Sequence, residues 1–207
     1  LRDSPNVVRE RDPLVKRRPL AGASVALVDL TAYPCYCYID DSRSRFNLGS
    51  ALLCLAFLEE AIEEGVSSVG LVSPYAAQGR LLFNLVRELF PEHMHAGVSD
   101  APYASTVHRF QGGERDYMIF DYTESFPVRY PGRLLTSNQN RQALRLLNVA
   151  VSRARAKLLV VANTDYLENR LAQSSIHRRL FHYVRHKGVP VKGEQLARIL
   201  VARHIAG

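Results

Sequence analysis

Three polar segments of the sequence carry residue types that bind anions and nucleotides. The first reads S-P-Y-A-A-Q and contains Ser73, Tyr75 and Gln78, between an apolar run and a helical pattern. Ligands of α/β proteins bind where a strand passes into a helix, and backbone N–H groups at a helix start can hold an anion. An aromatic ring there can stack on a base. The same composition is common in turns without a ligand, so this segment alone indicates only a candidate site.

The second segment reads T-V-H-R-F-Q-G-G-E and joins two apolar runs. Its paired glycines, 112 and 113, allow close backbone approach or a positive φ. Thr106 and His108 could donate hydrogen bonds to a phosphate backbone, and Glu114 could accept one from a ribose hydroxyl. The alternative is an ordinary Gly-Gly turn beside solvated charges.

The third segment reads N-V-A-V-S-R-A-R-A-K and places Arg153, Arg155 and Lys157 at the end of a predicted helix. Basic residues at a helix C-terminus complement the helix dipole, which is the structural interpretation. The functional interpretation is an arginine that stabilises charge on a transferring γ-phosphate.

The elements that must position these segments alternate between strands and helices. Continuous apolar runs predict buried strands over residues 25–29, 69–73, 103–107, 117–121 and 158–162, with an irregular edge strand over 34–41. Helical spacing of apolar residues predicts helices over 47–65, 76–90, 139–153, 175–187 and 193–204. This alternation predicts an α/β fold with a parallel sheet flanked by helices on both faces.

Composition limits the class of protein. The 207 residues are 47% hydrophobic and 23% charged, which excludes disorder as the main state. The sequence has no run of about 18 apolar residues, so a transmembrane helix is not expected. The spacing of the three cysteines does not fit a zinc site. We expect their thiols to be reduced, as in an intracellular protein. The chain begins at Leu1 without a signal-peptide pattern, so we expect a fragment of a longer protein.

The net charge of +7 lies at the two ends of the chain. Residues 1–24 carry +3 and residues 165–207 carry +5, whereas the middle carries −1. Basic surfaces attract phosphate backbones over long distances. Arginine-rich helices that are merely solvated would give the same distribution.

In this order and spacing, the three segments together resemble motifs IV, V and VI of superfamily 1 helicases. The resemblance is to the branch that contains the nonsense-mediated-decay helicase and related DNA helicases, and it runs from about Val25 to Asn163. It implies the second, RecA-like motor domain, with a P-loop NTPase-type fold. The implied organisation is a basic connector or arm over 1–24, the RecA-like domain over 25–164, and a basic helical extension over 165–207 packed on the same domain.

The resemblance also implies roles for single residues. Arg153 would be the arginine finger, and Arg155 would contact ATP or support the finger. The other residues implied to bind ATP are Tyr75, Gln78, Gly113 and Glu114. Those implied to bind nucleic acid are Ser73, Thr106 and His108.

Several family features are missing from the sequence. It has no G-x-x-x-x-G-K-[ST] segment, and neither Asp29 nor Asp121 is followed by Glu to give a magnesium-holding pair. Both features belong to the family's first motor domain. We therefore expect ATP and Mg²⁺ to be bound mainly by that missing domain, and the isolated fragment to be inactive.

The expected partners are the first motor domain of the same polypeptide and single-stranded or tailed nucleic acid, DNA or RNA, with no membrane. The alternative function is a non-catalytic nucleic-acid-binding module that uses the basic ends. A nuclease is disfavoured because the sequence has no Asp/Glu/Lys cluster of the metal-site type.

Overall fold

A six-stranded parallel sheet forms the centre of the molecule. The computed structural model describes residues 5–94, 101–110, 113–136, 147–148 and 151–193, with side chains from residue 9 onward. The strand order is β5-β4-β6-β7-β1-β8, and every neighbouring pair is parallel. The sheet strands are β1 (Val25–Asp29), β4 (Val69–Ser73), β5 (Tyr103–Thr106), β6 (Arg115–Asp121), β7 (Ala154–Ala162) and β8 (Val189–Lys192). A separate hairpin pairs β2 (Tyr38–Ile39) with β3 (Arg45–Phe46).

Helices cover both faces of this sheet, as the sequence predicts. They are α1 (Pro5–Val15), α2 (Leu48–Glu63), α3 (Ala76–Leu89), α4 (Arg133–Thr136), α5 (Thr164–Glu168) and α6 (Ile176–Lys187), with a 3-10 turn at Pro91–His93. One apolar core joins the sheet to α2 and α3, and a second core on the opposite face joins it to α5 and α6. Strand residues alternate between the two cores, so Leu71 enters the first core and Val72 enters the second. The RecA-like α/β fold expected from the sequence is therefore present.

The longest helix, α2, has clear signals at both ends. The Asn47 side chain caps the start by accepting a hydrogen bond from the Ser50 backbone N–H at 3.1 Å. Gly65 follows the end with φ of +74°, a conformation that glycine adopts without steric penalty. These two residues set the position of α2 against the sheet.

The N-terminal arm is helical over α1 and is tied to the core. The Tyr117 hydroxyl donates to the carbonyl of Leu14 at 2.6 Å. The buried Lys157 ammonium donates to the carbonyls of Arg17 at 2.6 Å and Pro19 at 2.5 Å. Burial lowers the pKa of Lys157 to about 8. The sheet thus holds the arm through one tyrosine and one lysine.

The structure differs from the predicted elements in two places. The expected edge strand over 34–41 shrinks to the two residues of β2, which pair outside the main sheet. The tail, expected to be helical, adds β8 as an edge strand beside β1. Pro190 is compatible with that position because proline is tolerated at a sheet edge.

Two predicted helices fall largely outside the described residues. The helix over 193–204 lies almost wholly outside them, and that over 139–153 is described at only a few positions, of which 147–148 and 151–152 are helical. None of the helices that the structure describes is long and apolar enough to cross a membrane.

Candidate functional sites at the two edges of the sheet

The predicted site residues divide between the two edges of the parallel sheet. At the carboxyl edge, where the strands end, lie Ser73, Tyr75, Gln78, Thr106 and His108. At the amino edge, where β6 and β7 begin, lie Gly113, Glu114, Arg153 and Arg155. The seven residues of β6 separate the two edges by about 20 Å. The structure therefore places Tyr75 and Gln78 at the opposite edge of the sheet from the second group.

The carboxyl edge is built around a buried amide, the side chain of Gln78. Its Oε1 accepts from the Asn47 backbone N–H at 2.8 Å, and its Nε2 donates to Asp121 Oδ2 at 2.5 Å. Nε2 also lies 3.2 Å from the hydroxyl of Ser50, which itself donates to Asp121 at 2.9 Å. Gln78 is 0% exposed, so in this structure its amide serves the network that joins α2, α3 and β6. Its contact with ATP stays a prediction.

The Asp121 carboxyl at the end of β6 is the ionisable centre of this network. Burial raises its pKa to about 6, and the hydrogen bonds from Gln78, Ser50 and Thr123 oppose that rise. The Thr123 backbone N–H donates to Oδ1 at 2.7 Å. Donors from α2 and α3 therefore hold Oδ2, and a donor from the loop after β6 holds Oδ1.

A second buried carboxyl, that of Glu124, holds Tyr75 in place. The Tyr75 hydroxyl donates to Glu124 Oε1, and the Gly132 N–H donates to the same oxygen at 2.6 Å. Arg45 Nε lies 3.2 Å from Oε2 and its guanidinium lies over the Tyr75 ring. Burial raises the pKa of Tyr75 well above its usual value, so the hydroxyl remains a donor. The Tyr75 ring is buried and offers little exposed surface to a base. Stacking of this ring on a base therefore stays a prediction.

The residues predicted to touch nucleic acid differ in exposure. Ser73 is fully buried and its hydroxyl lies 2.8 Å from that of Thr123, so no atom of its side chain is open to a strand. Thr106 is half-buried at the end of β5, and His108 is exposed two residues later. Gly79 lets α3 approach this strand end, since a Cβ there would lie 2.9 Å from the Thr106 nitrogen. Accessible candidates at this edge are thus Thr106 and His108.

At the amino edge, two arginines flank the start of β7 and differ in their partners. Arg155 Nε lies 3.0 Å from an Asp116 carboxylate oxygen, and its Nη2 donates to the Ser68 hydroxyl at 3.3 Å. Arg153 Nε is buried, and it has no hydrogen-bond partner within the part of the chain that the structure describes. A buried guanidinium N–H without a partner is costly, so the geometry favours an acceptor that comes from outside the described chain.

A small cleft opens beside these arginines. It has a volume of about 270 Å³, and its lining includes Glu114, Ser152 and Arg155 together with Glu10 of α1. The exposed Glu114 carboxylate follows Gly113 at the start of β6. The cleft therefore brings Glu114 and Arg155 together, and Ser152 and Ala154, the chain neighbours of Arg153, also line it. Among the described residues there is no group of three His, Cys, Asp or Glu side chains placed to hold a metal ion.

The sequence does not identify Asp121 and Glu124 as organising residues. A signal was present, because an aspartate that ends an apolar strand marks the carboxyl edge of a parallel sheet. No comparable pattern marks Glu124, whose partners Tyr75 and Arg45 are distant in sequence. Their proximity depends on the packing of α3 and the hairpin against β6.

The chain is similar to known helicases. A family model described as an AAA domain matches residues 1–165. An uncharacterised ATP-dependent helicase of Methanocaldococcus jannaschii is 28% identical over 145 residues, which are 70% of this chain and 18% of that protein. The DNA polymerase alpha-associated DNA helicase A of Saccharomyces cerevisiae is 32% identical over 127 residues, 60% of this chain and 16% of that protein. Helicase sen1 of Schizosaccharomyces pombe is 29% identical over 150 residues, 68% of this chain and 8% of that protein.

A solved structure, the C-terminal domain of a possible DNA helicase from Lactobacillus, covers 92% of this chain and 97% of its own, with a TM-score of 0.43 and 11% identity. The chain spans less than a fifth of the curated relatives just described. The family match covers most of the chain, and the three helicase segments stand at the ends of parallel strands. The chain therefore belongs to this AAA-domain family, and its similarity to helicases agrees with the superfamily 1 helicase resemblance of its sequence.

Proposed function

We propose that the chain is the second motor domain of an ATP-dependent helicase or translocase, with the nucleotide at its amino edge and nucleic acid at its carboxyl edge. The observation that carries the proposal is the buried Nε of Arg153, which has no partner in the described residues; its chain neighbours Ser152 and Ala154 line an open cleft. The helicase relatives support ATP dependence and action on nucleic acid for the complete protein. The missing first motor domain would supply the P-loop and most of the contacts to ATP and Mg²⁺.

At the amino edge, Arg153 would place its positive charge on the transferring γ-phosphate. Gly113 and Glu114 would contact the ribose or phosphates: the Glu114 carboxylate is exposed, and Gly113 is half-buried beside the Arg115 guanidinium. Arg155 is tied to Asp116, so its role is to support the strand start and its neighbour. The cleft lining holds Arg11 and Arg155 beside three carboxylates, those of Glu10, Glu114 and Asp116, so the proposed contact with an anion rests on Arg153.

At the carboxyl edge, Thr106 and His108 would contact the backbone of a single strand, DNA or RNA. Such contacts are independent of sequence and weaken with salt. Ser73, Tyr75 and Gln78 would act beneath this surface by holding the ends of β4 and β6 together. An intracellular location is part of the proposal, as is the organisation into an arm, a RecA-like domain and a C-terminal extension.

The experiment is Arg153→Ala in the complete protein, with steady-state ATPase assays in the presence of single-stranded nucleic acid. We expect kcat to fall by about 10²-fold or more while ATP binding survives, because an arginine finger acts mainly in the transition state. Arg87→Ala is the matched control, since that arginine is exposed on α3 and, among the described residues, pairs with its neighbour Glu88 alone.

Three outcomes distinguish the candidates. A large loss in kcat for Arg153→Ala alone supports the motor domain. Unchanged turnover removes Arg153 from the mechanism. A complete protein that binds nucleic acid but never hydrolyses ATP supports the alternative, a non-catalytic nucleic-acid-binding module that relies on the basic ends.

A further inference from the structure

An open groove runs along the outer edge of the sheet, between α3 and the edge strand β5. Its volume is about 560 Å³. The groove side chains are Arg80, Phe83, Asn84, Tyr103, Thr106 and Arg109. Thr106 lies at the end of the groove nearest the carboxyl edge, because it is the last residue of β5. The groove therefore begins where nucleic acid is proposed to touch the domain.

Two aromatic rings on facing elements line the groove. Phe83 comes from α3 and Tyr103 from β5, and each is 37% exposed. The Tyr103 ring packs at 5.6 Å, tilted, on the buried Phe110, which fixes its orientation. Exposed aromatic surface on rigid elements is the feature on which bases of single strands stack.

The charge of the groove is positive. Arg80 and Arg109 are both exposed, and no Asp or Glu occurs among the described residues that line the groove. Arg80 lies 3.1 Å from Asp40, an ion pair exposed enough to exchange for a phosphate. The Arg109 side chain has no partner within the described residues, and its backbone N–H donates to the Thr106 carbonyl. The backbone of Arg109 is thus held next to Thr106, and its exposed side chain lines the groove.

We infer that this groove binds single-stranded nucleic acid as it leaves Thr106, with bases on Phe83 and Tyr103 and phosphates on Arg80 and Arg109. The inference rests on the proposed function and extends it to Arg80, Phe83 and Tyr103, which lie outside the three helicase segments, and to Arg109 within the second segment. Two arginines and two aromatic rings without a lining acid fit a polyanion with flat bases. A protein strand added to β5 would use its backbone edge and would not require this charge.

The test is fluorescence anisotropy with the complete protein and labelled 20-mers of dT and of U, titrated at several salt concentrations. We expect Phe83→Ala to raise Kd by about tenfold at every salt concentration, since each stacked base contributes substantially to binding. Arg109→Gln should raise Kd at low salt and reduce the slope of log K against log salt by about one. Arg109→Gln should leave the thermal unfolding midpoint unchanged because its side chain is exposed, whereas Phe83→Ala should lower it modestly because the ring is only 37% exposed; binding is therefore measured well below the midpoint of each variant.

Arg87→Gln, on the same helix but outside the groove, is the control and should bind as the unaltered protein does. If Arg153→Ala lowers ATPase activity while both groove variants bind normally, the groove proposal fails and the motor function stands. If the unaltered protein binds neither 20-mer, both fail together. If both groove variants bind more weakly but Arg109→Gln leaves the slope of log K against log salt unchanged, the proposed contact between Arg109 and a phosphate is wrong.

Discussion

Replacement of Gln78 by methionine removes the amide at the centre of the carboxyl-edge network and keeps the side-chain volume. The Asn47 backbone N–H then loses its acceptor at 2.8 Å, and the Asp121 carboxylate loses its donor at 2.5 Å. A buried donor left without a partner costs about 1–3 kcal/mol, and a hydrogen bond to a charged group contributes about 1.5–3 kcal/mol. We therefore expect the free energy of unfolding to fall by about 3 kcal/mol or more at pH 7.5, out of a total of about 5–15 kcal/mol.

The loss should depend on pH because Asp121 titrates. Its pKa in the folded chain is about 6, above the ordinary 3.8, so the folded state binds more protons between these values. In the unaltered chain, the contribution of Asp121 to the free energy of unfolding consequently falls as pH rises from about 4 to 6. Gln78→Met removes a donor that lowers this pKa, so the fall should extend above pH 6. The destabilisation at pH 7.5 should exceed that at pH 5 by about 1 kcal/mol.

The assay is urea unfolding at pH 5 and pH 7.5, followed by far-UV circular dichroism, with the exposed Gln173→Met as control. A loss below about 1 kcal/mol at pH 7.5, or an equal loss at both pH values, would refute the reasoning. A variant with normal stability but weaker ATP binding in the complete protein would instead favour the direct ATP contact predicted from the sequence.

Two further predictions concern buried groups. Burial lowers the pKa of His177 to about 4, below the ordinary 6.5, so its contribution to stability is complete above pH 6.5 and is lost as pH falls towards 4. In His177→Gln, the urea midpoint should therefore change less between pH 4 and pH 6.5 than in the unaltered chain. An unchanged slope over this range would contradict the prediction. Gly79→Ala places a Cβ 2.9 Å from the Thr106 nitrogen and 3.0 Å from the Ser105 carbonyl carbon. It should destabilise by about 1–3 kcal/mol, although alanine favours a helix, and a stabilised variant would disprove that contact.

The fold was largely predictable because buried parallel strands have a strong local signature. Each apolar run over β1, β4, β6 and β7 is long enough and apolar enough to require cover on both faces. The edge strand β8 escaped prediction because Val189–Lys192 is short, contains proline and is exposed. Its strand conformation depends on the neighbouring β1 rather than on its own composition.

The site was predictable in its residues but not in its arrangement. The motif order along the sequence does not say which end of a strand each motif occupies. Tyr75 and Gln78 follow β4, whereas Glu114 and Arg153 precede β6 and β7, and only the parallel register places these pairs at opposite edges. Burial of the tyrosine and the glutamine depends on distant partners, which no local pattern specifies.

The separation of the two edges makes the segment between them mechanically important. Only residues 107–114 connect Thr106 at the carboxyl edge to the start of β6 at the amino edge, and β4 lies between the two strands. Parallel crossovers usually need a dozen or more residues. Eight residues reach at most about 28 Å, and the return along β4 and across two strand spacings uses about 20 Å of that.

The described start of this crossover is anchored. The buried Phe110 packs over Gly70 of β4, where a Cβ would lie 2.9 Å from its ring, and its N–H donates to the Thr106 carbonyl. In the proposed motor, the nucleic-acid contact at Thr106 and the nucleotide contact at Glu114 are only eight residues apart in the chain. A change of position at one contact therefore has a short covalent path to the other.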